Sequence, residues 1–217
     1  MTKLIVHESQ LSYQGFFARP VLSLWGEARV IVSGLFDAFA PFGVTLGDFV
    51  SENSPNLGDQ SVEVDMGDKG TFSFKFDQVE WSLDDFLNID TGDVPTVLSR
   101  GVEWIRGRVA GDLFQTHLFT YAVHGVVEGI APATFLSRLP HFVTGIGQDI
   151  GNGQILNIEL DQHARAQITL DHSYSVPDGL FIQQNLIVRV DRFDYSGVLT
   201  LASNTFQAVL NALQLQL

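Results

Sequence analysis

Cysteine is absent from this chain, which removes structural disulfides, thiolate zinc sites and cysteine nucleophiles and is compatible with a reducing compartment. The recurrent signatures of catalysis are missing too. No Walker loop, Gly-x-Ser-x-Gly elbow, metalloprotease helix motif or two-histidine zinc-finger pairing occurs. Basic residues are scarce, with 12 Lys and Arg against 25 Asp and Glu and a net charge of −13. Such a chain repels phosphate, so DNA and RNA are excluded as ordinary partners. Charge of either sign vanishes between Tyr195 and Leu217, yet Ser, Thr, Asn and Gln recur there too often for a membrane span. The opening Met1–Val6 apolar run is too short for a signal peptide. The expectation is a soluble, cytoplasmic protein with a disfavoured membrane role.

Apolar material is plentiful. Hydrophobic residues make up 45% of the 217, 17 are Phe, and mean hydropathy is +0.15, enough for a substantial core and against disorder. The charge is unevenly placed. Residues 48 to 93 hold twelve acids against Lys69 and Lys75, a local balance of −10 that leaves −3 for the rest. This segment reads as a solvated acidic face, or more sharply as a docking surface for a basic partner.

The longest regular pattern runs from 154 to 190, where two stretches of strict alternation flank Ser175-Val176-Pro177-Asp178-Gly179. Leu156, Ile158, Leu160, Ala164, Ala166, Ile168 and Leu170 share one parity; Asn157, Glu159, Asp161, His163, Arg165, Gln167 and Asp171 share the other. Leu180, Ile182, Leu186, Val188 and Val190 repeat the pattern against Gln183, Asn185, Arg189 and Asp191, as a half-buried antiparallel ribbon requires. The first stretch would be roughly 50 Å long if straight, so it must curl, break near His163 or overhang.

A second hairpin is expected at 61–76, joined by Gly67-Asp68-Lys69-Gly70, with a phase change after Asp77 to Val79 and Trp81. Strands are also expected at 3–14 and 113–128, the latter apolar at both parities and so central and covered on both faces. Helical spacing marks Ala28–Phe39, a helix opened by Asp90–Asp93 and Pro95 with Arg100, Glu103 and Arg106 on its wet side, a short one from Pro132 to Leu139, and the C-terminal segment. The fold class is therefore α+β: a curved antiparallel sheet built from hairpins, with interspersed helices and a C-terminal helix packed on the sheet. We expect a single domain spanning 1–217. A hairpin followed by a helix occurs twice and hints at two loosely similar halves, 1–110 and 111–217.

Candidate chemistry is sparse. His163, Asp161 and Arg165 stand in a row on the ribbon's polar face with Arg189 opposite, and Tyr121 offers an apolar wall with a hydroxyl. These five are the candidate ligand-binding residues if that face lines a cavity beneath the last helix; otherwise they form a solvated sheet face. His117 and Tyr121 share a parity opposite to that of His124 and Glu128, so a metal would need His141 or His172 as well. No metal or cofactor is expected. The Gly145-Ile146-Gly147…Gly151…Gly153 run precedes a strand rather than a helix, so it reads as a turn, not a dinucleotide loop. The acidic run 84–93 lacks the ligand spacing of an EF-hand.

Three functions compete. The first is a non-catalytic binding or assembly protein that contacts a protein partner, or further copies of itself in a homo-oligomer, through its acidic segment, polar sheet face or C-terminal helix. The second is an enzyme or carrier of a small molecule. The third is a membrane-active protein whose amphipathic hairpins rearrange.

Overall fold

The computed structural model describes residues 1–25, 28–52, 54–139 and 153–217. His141 and the glycine-rich turn up to Asn152 lie outside the described residues.

The chain begins in β1 (Thr2–Phe17), a strand of 16 residues. Its alternation decides its place: Leu11, Tyr13 and Phe17 are buried while Gln10, Ser12 and Gln14 turn the other way. Next come α1 (Ala28–Phe39), the short β2 (Phe49–Glu52), and β3 (Ser61–Asp65), β4 (Thr71–Lys75) and β5 (Gln78–Asp84), followed by α2 (Val94–Arg106). A second long strand, β6 (Phe114–Val127), leads to α3 (Pro132–Leu136), to β7 (Gln154–Glu159), β8 (Ala164–His172) and β9 (Leu180–Val188), and to α4 (Tyr195–Ala212) and a two-residue β10 (Leu215–Gln216).

Nine strands form one open, curved sheet in the order β2-β3-β4-β5-β1-β6-β9-β8-β7, antiparallel throughout. β10 stands off this path and pairs in parallel with the start of β1, Thr2 opposite Leu215, where β5 does not reach. The expected α+β class with its C-terminal helix on an antiparallel sheet is what the molecule adopts. In the chain, strand, helix, meander and helix succeed one another twice, and the two long strands β1 and β6 pair along the middle.

The phase change after Asp77 marks the end of a strand: β4 stops at Lys75, and β5 returns with Trp81 opposite Phe72. Likewise the long ribbon stretch breaks near His163. Asp161 Oδ1 accepts from the backbone N–H of His163 (2.6 Å) and of Ala164 (2.8 Å), an Asx turn that folds β8 back on β7 while keeping the apolar parity.

α1, α2 and α4 pack on one face of the sheet. Phe39 of α1 meets Phe72 of β4 edge-on at 5.2 Å, and Phe206 of α4 lies 5.7 Å from Tyr121 of β6. Gly101 brings α2 down onto β4, since a Cβ there would come within 2.6 Å of the Phe72 ring. Gly70 closes the β3–β4 turn with φ of +83°, its missing Cβ leaving room for the Ser82 carbonyl. Phe72, Phe74, Trp81, Tyr13 and Phe119 are fully buried in this layer, each stabilising by about 1.5–3 kcal/mol relative to exposure.

β6 is central, as expected, but these helices cover only its Phe119, Tyr121 and Val123 side. On the other side Thr120 and Ala122 are shielded by neighbours within the sheet, Gln10 and Ser12 on β1 and Gln183 and Asn185 on β9. Its mixed parity reflects that lateral shielding in a wide sheet rather than a second helical layer.

Candidate functional site

Four of the five candidate ligand-binding residues come together. Asp161, His163, Arg165 and Arg189, with Asn157, Glu159, Ile158 and Ile187, line an open cleft of about 410 Å³ at the β7–β8 turn. The register explains it: Glu159, Arg165 and Ile187 lie in one transverse row, and His163 adjoins Arg189 through the bond from Arg189 N–H to the His163 carbonyl (2.9 Å). Asp161 is occupied by the turn. Among the described residues, neither guanidinium has a carboxylate within ion-pair distance. Tyr121 does not join them. It sits on the helix-covered face, buried against Phe86 and Phe206, where desolvation pushes its pKa up to about 12. The expected cavity uniting the histidine, the arginines and Tyr121 beneath the last helix is thus divided by the sheet itself.

The open face beyond this cleft is polar, and along its middle it is uncharged. One transverse row runs Asn157, Gln167, Asn185, Thr120, Ser12, Ser82 and Thr71, across seven strands. Thr120 Oγ1 donates to Asn185 Oδ1 (2.8 Å) and Gln167 Nε2 to Asn157 Oδ1 (3.2 Å). His124, also on this side, stacks on Phe181 and bonds Ser173 Oγ through Nδ1 (2.8 Å).

A second cluster is sealed inside. Tyr13 Oη lies 2.9 Å from His117 Nδ1 and 3.1 Å from Tyr195 Oη. Below them Arg106 donates to Asp191 Oδ2 (2.5 Å) and to its carbonyl (2.8 Å), and Asp191 Oδ1 accepts from the N–H groups of Leu113 and Phe114. Arg106, expected on the wet side of α2, is thus buried. Asp191 is matched to it across the start of β6.

Burial pushes the His117 pKa down to about 4, against a weaker opposing pull from the Val190 backbone. Desolvation raises Tyr13 and Tyr195. At Asp191, burial acts upward, but the bonds from Phe114 N–H, Arg106 and Leu113 N–H outweigh it and lower the pKa. With the proton on Nε2, His117 Nδ1 accepts from Tyr13 and Tyr13 accepts from Tyr195, a polar chain that fixes α4 against β1 and β6. The sequence favours a buried, hydrogen-bonded histidine on this strand, which His117 is, but the rest of the cluster escaped the sequence reading. Its only local signal was the uncommon placement of His117 at the parity of Phe119 and Tyr121.

The third feature is apolar. Between β7 and α4 lies a groove of about 430 Å³ walled by Leu156, Ile158, Leu160, Ile168 and Leu170 from the β7–β8 hairpin and Ala208, Val209, Ala212 and Leu213 from the helix and its C-terminal end. Leu156 and Ile158 are on the helix-facing side of β7 but remain 45% and 39% exposed, because α4 stops short of this strand. Ile155, on the other side of β7, is 63% exposed.

Among the described residues, no three His, Asp or Glu side chains gather as metal ligands, and no helix is long and apolar enough to cross a membrane. No known protein family, curated protein or solved structure matches the chain.

Proposed function

We propose that this is a non-catalytic binding or assembly protein that contacts another protein through the end of the sheet formed by β7 and α4. The observation that carries the reading is a groove left uncovered among the described residues, where Leu156 and Ile158 stay partly exposed beside a helix bearing no charge. Protein interfaces are depleted of charge at their centre and enriched in such surface. The acidic end supplies a second contact for a basic partner. The buried Tyr13–His117–Tyr195 chain supports the reading indirectly: its perturbed groups face the core and serve packing. The test is affinity capture of the tagged chain from its host beside a Val209→Asp variant of equal melting temperature. A specific protein retained by the parent and lost by the variant is expected. Retention of the same proteins by both would refute the assigned surface.

A second reading is favoured by one observation, the convergence of His163, Arg165 and Arg189 on a single cleft. In it the protein is a cytoplasmic carrier of a small molecule held from the open face. Native mass spectrometry of the purified protein decides: a bound small molecule lost in Arg189→Ala or His163→Ala at unchanged melting temperature supports the carrier, and a bare chain refutes it.

A further inference from the structure

We infer that the cleft between the start of α2 and α4 is a binding site for an uncharged, hydroxyl-bearing small molecule of the size and polarity of a monosaccharide. It lies on the helix-covered face of the sheet, apart from both surfaces assigned above, and depends on neither.

The cleft opens over the β1–β6 seam and has a volume of about 330 Å³, at the small end of the range for small-molecule pockets, about 300–1,000 Å³. Leu11 and Tyr121, directly opposite each other on β1 and β6, and Val94 at the head of α2 are its buried residues. Ser196, Thr200, Ser203 and Asn204 recur at the spacing of one helix flank and stand exposed along its edge, as does Gly92 in the turn before α2.

The Tyr121 hydroxyl separates this cleft from an ordinary crevice. Three tyrosines are buried in the helical layer. Tyr13 and Tyr195 bond each other, and Tyr13 also meets His117. Tyr121 is only 7% exposed, with its ring held by Phe86 and Phe206, yet among the described residues its hydroxyl has no hydrogen-bond partner. Leaving a buried hydroxyl unpaired costs about 1–3 kcal/mol, and phenylalanine would pack in the same place without that cost. Desolvation alone raises its pKa to about 12, so the phenol stays neutral and able to donate.

The surroundings select the ligand. Among the described residues, no Lys, Arg, His, Asp or Glu borders the cleft, so a charged ligand would be desolvated without a counter-charge. A purely apolar one would leave the Tyr121 hydroxyl buried and unpaired. The hydroxyls of Tyr121 and Ser203 and the amide of Asn204 each donate and accept, which suits hydroxyl groups on the ligand. Leu11, Val94 and Pro95 suit its carbon skeleton.

Saturation-transfer NMR on the full chain, with glucose, glucuronate and cyclohexanol as separate millimolar probes, tests this. The expected results are transfer to glucose, much less to the other two, and a loss of glucose affinity of about tenfold in Tyr121→Phe at an unchanged or higher melting temperature. Tyr174→Phe, at a tyrosine 92% exposed and outside the cleft, should change nothing. Ser203→Ala, at an exposed position of α4, should also weaken glucose binding and decides the matter if Tyr121→Phe fails to fold. No transfer to glucose, transfer to glucuronate or cyclohexanol as strong as to glucose, or glucose affinity unchanged in every variant that folds would overturn the inference. A lower melting temperature in Tyr121→Phe with affinity retained would make the hydroxyl structural and overturn it too.

Discussion

The two ends of the sheet solve the same problem in opposite ways. At the β2 end the outer strand is short, none of the acids between 48 and 93 is buried, and α1 and α2 seal the apolar face of β3 and β4 down to fully buried Val62, Val64, Phe72 and Phe74. At the β7 end the strand is longer and nearly free of charge, and its leucine and isoleucines stay exposed, Leu156 and Ile158 along a groove that α4 borders without filling. One end is finished by its own chain and defended by repulsion. The other leaves apolar side chains partly exposed among the described residues, and the sealed end gives the standard against which that exposure is judged.

Truncation should expose this contrast most strongly. Phe72→Ala, in the sealed end, is expected to cost about 3–5 kcal/mol, whereas Leu156→Ala, read by urea denaturation at low protein concentration, should cost less than about 1 kcal/mol. Equal losses would mean that the two ends are not differently packed after all.

Between the ends, His117 makes stability depend on acid. Its folded pKa of about 4 lies below the unfolded value of 6.5, so the unfolded chain takes up a proton first. The contribution is complete above pH 6.5, is lost as pH falls toward 4, and changes no further below that. The full loss is about 3 kcal/mol. Asp191 adds a separate loss at lower pH because its pKa is depressed. Urea midpoints at pH 7.5 and 4.5 should therefore differ less for His117→Gln than for the parent; parallel shifts would show that the imidazole is not what titrates.

The smallest effect belongs to the acidic end. Lys75 Nζ meets Glu80 at 2.6 Å across β4 and β5, with both side chains partly exposed. Lys75→Met should cost about 0.5 kcal/mol, a loss that shrinks in high salt. A salt-independent loss would point to packing by the lysine stem instead.

Much of this fold was legible because local periodicity reports local pairing. The alternation of Val62, Val64, Phe72 and Phe74, and of Ala166, Ile168, Ile182 and Leu186, identified hairpins whose partners are close in sequence. The seam between β1 and β6 was not legible, since Tyr13 meets Phe119 through a register that no repeat in either strand records. Arg106 was misread for a related reason: its position on the polar flank of α2 is visible locally, but its burial is decided by Asp191, 85 residues away. The candidate site was half legible. Alternation gathered His163, Arg165 and Arg189, while the assignment of Tyr121 to the same site failed because parity within one strand does not reveal which side of a sheet another strand shares.

The pairing of β1 with β6 also bears on how the molecule is made. β1 is an interior strand, and it is made before both of the strands that flank it. β5 can take one flank once residues 78–84 have emerged, but the other flank waits for residues 114–127, and the contact at Thr2 and Lys3 waits for Leu215 and Gln216. Until then a 16-residue ribbon offers an open flank to whatever is near. Synthesis therefore passes through a window in which an interior strand of the finished sheet is exposed along one flank, and that window closes only once its sequence-distant partner has been made.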